Sequence, residues 1–512
     1  MVVLADRQRI KGQPREGLSL LSPFWSWFLS NSFSAPVSMT TSMTRTKAAL
    51  GWLALNVVLL VFVPSNVAAA EQISPFVEAA PERLARYIRV DTVNPPGNEI
   101  RGVEFFAEIF DAAGVTYETA ESAPGRGNIW ARLKGGRKPG IVLLNHIDVV
   151  PADPRHWSVD PFSGLTKDGY IWGRGALDMK GTAIAQLQSF LALHEAVENG
   201  ARLSRDVLFV ATADEEAGGA YGAGWLAENR KSLFDGVGFL LNEGGSTTVA
   251  GEDTLLLVEV TQKVPVWLRL TATDRPGHGS SPTQTTAVTR ILRAGNRLAD
   301  TRFPTRVIPA VQQLLLGLAP YQEDLVLRKG FADSVNAVKD DLFLRYLESA
   351  SPSQHALVRN TCSVTVLEGS SKINVIPPQA ALELDCRILP DQDEAAFIAQ
   401  IEAIVSDPNI EVTKIMSLSP AVSPASGELW SHIEALATRR FDNAKVLPSV
   451  TTGFTDSQFF RKMGITSYGL GFFLVPQGDF RGVHGNDERI KIDAFKQGTE
   501  AMIELLTDFA LR

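Results

Sequence analysis

Three apolar runs in this chain each stop on a carboxylate or a histidine. "PGIVLLNHID" ends on His146 and Asp148, "VLFVATADEE" on Glu215 and Glu216, and "GFLLNEGG" carries Glu243. Short continuous apolar runs suit strands covered on both faces, and the ends of such strands are where open α/β sheets hold ligands. Between the first two runs lies "MKGTAIAQLQSFLALHEAVENG", an amphipathic helical pattern that closes on Gly200. This alternation predicts an α/β catalytic domain with a mixed, largely parallel sheet. His146 and Asp148, two apart on a strand, point to the same side, so one can ligate a metal while the other fixes a neighbouring ring or bond.

A length of 512 residues with 45% hydrophobic content favours two domains over one. The net charge of −8, with no basic run in the bulk of the chain, argues against a nucleic-acid partner. Residues 1–42 carry no usable pattern. Residues 43–70 hold Arg45 and Lys47, an apolar core from Ala48 to Val63, and small residues ending Ala68-Ala69-Ala70 before Glu71. This is the layout of a secretory signal peptide, and Met39 or Met43 would make a more ordinary start. It predicts a secreted or periplasmic protein with no stable membrane span once cleaved, and a membrane-anchored one if the segment is kept.

From Val264 the texture changes. Strand "VPVWLRLTATD", helix "TAVTRILRAGNRLA", strands "TCSVTVLEGS" and "AALELDCRIL", helix "DEAAFIAQIEAIV" and strand "EVTKIM" give the order βαββαβ, an inserted α+β lid. The lid is assigned to 263–417, with a helical insertion at 301–360. The catalytic domain is assigned to 71–262 and 418–512, where "ELWSHIEALATRRF" and "ITSYGLG" resume the alternation. A hairpin that pairs Gly369 with Gln379 sets Cys362 opposite Cys386. The two are then either a disulfide or a pair of free buried thiols.

Asp178 in "GRGALDMKG" and His484 in "GVHGNDERI" complete a polar set. Singly, Asp178 reads equally as a helix N-cap, Glu243 as a turn residue and His484 as a loop histidine. Together, two histidines and several carboxylates at strand ends suit a pair of divalent metals of the zinc type. Glu215 and Glu216 side by side would repel one another without cations.

His146-x-Asp148-x-Val-Pro, Gly173-Arg-Gly-x-x-Asp178-Met-Lys-Gly, Asp214-Glu215-Glu216, Glu243-Gly-Gly, Gly277-His278-Gly-Ser-x-Pro, Asn374-Val-Ile-Pro, Asp385-x-Arg387-x-x-Pro390 and His484 occur in that order. The ordered set resembles the two-zinc metallopeptidase family of glutamate carboxypeptidase, aminoacylase-1 and succinyl-diaminopimelate desuccinylase, and in layout the N-fatty-acyl-amino-acid synthase/hydrolase branch. The resemblance implies a zinc-peptidase-type fold and two Zn2+, with Co2+ or Mn2+ as substitutes. By it, His146, Asp178 and Glu243 hold one ion, and Asp178, Glu216 and His484 the other, with Asp178 bridging and Asp148 orienting His146. It also implies Glu215 as general base for a bridging water, His278 as stabiliser of the oxyanion, and a cis peptide at Asp178-Met179. In related enzymes that histidine reaches the site of a neighbouring subunit, which implies a homodimer through the lid; a histidine that caps a lid turn is the other reading. The family often has Gly-Gly-Thr-Asp where this chain reads Gly453-Phe454-Thr455-Asp456, so the substrate pocket lined by Gly453 has a shape of its own.

The expected activity is hydrolysis of an amide bond next to a free carboxylate, in a small peptide or N-acyl amino acid. Arg387 on an apolar lid strand needs an anion, and with Asn374 it would anchor that carboxylate. The alternatives are a zinc aminopeptidase or dipeptidase, and a binding protein that keeps the fold without the chemistry.

Overall fold

The computed structural model describes residues 65–476 and 478–511. The extension 1–42 and the apolar core of the signal-like segment lie outside the described residues, and the end of that segment opens the helix Ser65–Ile88. Among the described residues no helix is long and apolar enough to cross a membrane.

Nine strands form the main sheet. Its centre is parallel: Arg205–Thr212, Lys138–His146, Val237–Asn242 and Thr466–Gly469 lie side by side in that order. Antiparallel neighbours flank the centre, Gly127–Leu133 on one side and Asp253–Gln262 on the other. Ile141–Leu144 and Val207–Ala211 are buried without alternation because helices cover both faces. The strand ends that carry His146, Glu215 and Glu243 therefore open side by side on one rim of the sheet.

The helix Lys180–Glu198 departs from its sequence pattern. It is buried on all sides from Lys180 to Leu191, because the helices Ser65–Ile88 and Ile492–Ala510 pack over what would be its outer face. Its polar side chains are paired to match. Gln186 Nε2 donates to the carbonyls of Leu144 (3.0 Å) and Leu241 (3.3 Å), and Oε1 accepts from Asn145 (3.0 Å), which pins the helix to the two central strands.

The lid is a four-stranded antiparallel sheet in the order Thr361–Glu368, Gln379–Ile388, Val264–Thr273, Ile410–Ser417. Its helices Ala287–Asp300 and Glu394–Val405 start at the N-caps Thr286 and Asp393, whose side chains accept from backbone N–H groups. Cys362 faces Cys386 in the register and the two form a disulfide. Most of the 301–360 insertion leaves this layer, although Phe303 stays in the lid core against Phe397. Val311, Leu315 and Leu347 belong to the core of the α/β domain, whereas Val266, Leu384 and Ile401 form a separate lid core. Gly317 in the insertion lies against Leu447 of the main sheet with no room for a side chain.

One buried ion pair fastens the segment behind the site. Glu259, fully buried on Asp253–Gln262, accepts from both terminal nitrogens of Arg461, at 2.9 Å from Nη1. Nη2 also donates to the Ser467 carbonyl at 2.9 Å. Arg461→Leu leaves the carboxylate without its cation. The expected cost is about 3–5 kcal/mol in urea unfolding, largely recovered in the double variant Arg461→Leu/Glu259→Leu; a single-variant cost below about 1 kcal/mol would show that the pair does not hold this segment.

Candidate active site

His146 ends the central strand with its ring buried and both nitrogens engaged. Nδ1 lies 2.9 Å from the carbonyl oxygen of Asp148, so the proton belongs there and Nε2 is left as the ligand atom. Nε2 is 3.3 Å from Asp178 Oδ1 and 3.4 Å from Glu243 Oε1. The second oxygen of Asp178 is 3.1 Å from His484 Nε2, which is also 3.0 Å from Glu216 Oε2. Asp178 thus stands between two groups of ligand atoms, one oxygen to each. Its peptide bond to Met179 is cis.

The Asp148 carboxylate stands 3.5 Å from Nδ1, beside the ring it is expected to orient, and it also accepts from the backbone N–H groups of Glu215 and Glu216, both at 3.1 Å, and from Asn94 Nδ2 at 2.8 Å. Glu215 and Glu216 sit on a 3-10 turn, Glu215–Ala217, entered through Asp214 in a left-handed conformation (φ 72°). Arg126 and the backbone N–H of Tyr221 hold the Asp214 carboxylate. The pair of glutamates is therefore set by a buried network beneath it.

This much negative charge is unstable as it stands. Burial, then the charge of Asp178, pushes the Glu243 carboxyl up to about 8, and burial drives Glu215 well above the usual carboxylate range. Hydrogen bonds to Asp178 and Glu216 lift His484 to about 10. Each shift expresses a demand for positive charge, met by protons or by cations. The donor set fits cations. Two ligand atoms about 2.0–2.1 Å from a tetrahedral ion lie roughly 3.3 Å apart, close to the 3.0–3.4 Å found here. Glu215 Oε1 and Glu216 Oε1 are buried with no partner among the described residues. Ligand atoms of His146, Glu215 and Glu243 fall within 4.8 Å of one another, as do those of His146, Asp178 and Glu216.

A cavity of about 680 Å³ opens over these groups, bounded on the far side by the lid. Trp267 and Arg387 of the lid line it, together with Gly453, Phe454, Phe473 and Phe480. Arg387 donates to Asp385 through Nε (2.7 Å) and Nη2 (3.2 Å), while its buried Nη1 has no partner. His278 and Asn374 are not among the lining residues. Both are exposed, His278 on a short antiparallel ladder, Gly277–His278 with Val375–Ile376, and Asn374 in the turn before it; His278 Nδ1 lies 2.7 Å from Ser280 Oγ. The supporting residues Asn94, Arg126 and Glu488 escape a reading by motif, and Arg174 stands in the quoted Gly-Arg-Gly stretch without a role assigned to it, although Arg174 and Glu488 stand four positions from Asp178 and His484 in "GRGALD" and "HGNDE".

The model of peptidase family M20/M25/M40 matches residues 142–508. An N-fatty-acyl-amino acid synthase/hydrolase of Xenopus tropicalis is 32% identical over 378 residues, covering 71% of this chain and 71% of that one. Human aminoacylase-1 is 28% identical over 434 residues, covering 83% of this chain and 94% of that one. In fold, the chain is similar to the M20 family metallo-carboxypeptidase Sso-CP2 from Sulfolobus solfataricus, with a TM-score of 0.65 at 20% identity over 83% of this chain and 97% of that one. With two groups of metal-ligand atoms at the rim of its parallel strands and a family match across most of its length, the chain belongs to peptidase family M20/M25/M40, the metal-dependent hydrolases of amide bonds.

Proposed function

We propose that the protein is an exported hydrolase of N-acyl amino acids or small peptides that cleaves the amide bond next to a free carboxylate, with two zinc-type ions bound. The observation that carries the reading is the arrangement of Asp178, with one oxygen toward His146 and the other toward His484. His146, Asp178 and Glu243 would hold one ion, and Asp178, Glu216 and His484 the other. Two such ions, when bound, supply an acidified water and polarise the scissile carbonyl. Glu215 accepts the water's proton and hands it to the leaving nitrogen. Its burial and its unpartnered Oε1 suit that exchange. Glu215→Gln is expected to keep metal content and lower kcat by at least about 100-fold. Loss of metal in this variant would make Glu215 a ligand, and near-normal turnover with metal bound would remove it as the base.

The cavity lining offers two kinds of contact. Arg387, whose guanidinium lies 5.6 Å from the centroid of the Phe454 ring, offers Nη1 to a carboxylate, while Phe473, Val475 and Phe480 offer an apolar wall to a side chain or acyl group. Acyl chains should gain from that wall at about 0.8 kcal/mol per buried methylene. Amidating the substrate carboxylate, or Arg387→Ala, is expected to lower kcat/KM by at least about tenfold, the worth of one charge-assisted hydrogen bond. Equal hydrolysis of free and amidated substrates would favour the aminopeptidase reading. Export accords with the signal-like segment 43–70 and with the Cys362–Cys386 disulfide.

A second copy would complete the site. The edge strand Thr361–Glu368 exposes Val364, Val366 and Leu367, an edge that invites a partner strand, and the helical insertion leaves it uncovered by packing on the α/β domain. Dimerisation there would bring His278 of one chain to the cavity of the other as an oxyanion donor. Mixing inactive His278→Ala with inactive Glu215→Gln is expected to restore up to about a quarter of wild-type activity, the share of sites with both residues intact under random exchange. No recovery despite demonstrated subunit exchange would confine His278 to its own chain.

A further inference from the structure

The bridging carboxylate and His484 lie some three hundred positions apart in sequence, on two loops with little regular structure. A short ladder starts their approach, with Tyr170–Trp172 antiparallel to Arg489–Lys491. The first strand runs out into the turn Gly173–Asp178, and the second is entered from the loop that carries His484. Beyond the ladder one side chain from each loop does the joining. Glu488 is fully buried, and its two oxygens accept four N–H groups. Oε1 takes the backbone donors of Leu177 (2.7 Å) and Asp178 (3.1 Å); Oε2 takes Gly175 N (3.0 Å) and Arg174 Nη1 (2.7 Å). Arg174 reaches back across the gap. Its Nη2 donates to the carbonyl of Gly485 (2.6 Å) and its Nη1 also to that of Gly482 (3.3 Å), on either side of His484. The guanidinium is buried over the Trp157 ring, 5.2 Å from its centroid.

Both loops need such support. His484 and Asp487 hold left-handed conformations, φ 53° and 58°, which non-glycine residues adopt only when their surroundings compel them. Asp487 is fixed by Ser158, whose N–H and hydroxyl donate to it at 2.7 and 2.8 Å. A carboxylate with its four lone-pair positions filled and a guanidinium bonded to both loops form a rigid joint rather than an exposed ion pair.

We propose that Arg174 and Glu488 are positioning residues that assemble the Asp178 loop and the His484 loop into one ligand set before any cation arrives. Glu488 holds the backbone of the residue shared by both cation positions, so it serves both. Arg174 holds the carbonyls beside His484, so it serves the position that includes His484 and Glu216. The inference rests on the two-ion reading of the site.

The test measures zinc affinity by chelator competition on the metal-free protein, equivalent by equivalent, together with the visible spectrum of the cobalt-loaded form and urea unfolding of the metal-free form. Wild type should take up two equivalents; fewer than two would overturn the two-ion reading itself. Glu488→Gln is expected to weaken both equivalents by about 10–100-fold, the usual effect of losing a partner behind a ligand. Arg174→Gln, which leaves three backbone donors on Glu488, should weaken one equivalent by at least about tenfold and change the cobalt spectrum of that site alone. Should Glu488→Gln fail to fold, Arg174→Gln decides. Metal-free stability lowered with both affinities and the cobalt spectrum unchanged would make the pair a structural ion pair and overturn the proposal.

Discussion

Mutual repulsion among buried carboxylates is the constraint around which this molecule is arranged. Asp178, Glu216 and Glu243 converge on two histidines with ligand atoms 3.0–3.4 Å apart, and Glu215 lies buried beside them. Like charges at such separations in a poorly solvated rim are costly unless cations or protons intervene. Holding them together requires a scaffold that does not relax away, and a parallel sheet covered on both faces supplies it.

The supporting chemistry follows one rule on both sides of the site. Asp148 spends its carboxylate on the backbone N–H groups of Glu215 and Glu216, and Glu488 spends its own on those of Leu177 and Asp178. In each case a buried anion fixes the main chain that carries a ligand, leaving the ligand's oxygens free. Arg174 compensates Glu488, and Arg126 compensates Asp214, which enters the glutamate turn, so the charge of the supporting layer does not add to that of the ligand layer. Opposite this polar floor the lid contributes an indole and a partly unpaired guanidinium, and Phe473, Val475 and Phe480 of the α/β domain add an apolar wall. The cavity therefore has one pole for charge development at the amide and another for an anion.

The fold class was legible because the apolar runs were long and distinct enough to separate buried strands from helices, and the lid followed from its βαββαβ order. The candidate ligands His146, Glu216 and Glu243 could be picked out because each sits within a few positions of the end of an apolar strand. Other features were not. The helix Lys180–Glu198 carries polar residues at a helical spacing, yet an earlier helix and the last one cover its outer face and turn those residues inward. The 301–360 insertion lies between lid strands in sequence but packs into the core of the α/β domain, since sequence order does not say which apolar surface a helix will meet. Cys362 and Cys386 could be placed opposite one another by register, while bond formation required the actual approach of the strands.

By itself the sequence determined which residue types stand at the strand ends and in what order, because hydrophobic periodicity and the identity of metal-ligating side chains are local properties. Tertiary structure alone decided that Asp178 divides its oxygens between two histidines, that Asp148 braces the glutamate turn as well as standing beside the imidazole, and that Arg174 and Glu488 close the gap between two distant loops. It also left His278 on an exposed ladder, and Asn374 in the turn beside it, outside the lining of the cavity of their own chain. The physical reason is the same in every case: a hydrogen bond depends on the distance and direction between two groups, and for residues hundreds of positions apart these are fixed only when the chain between them has packed.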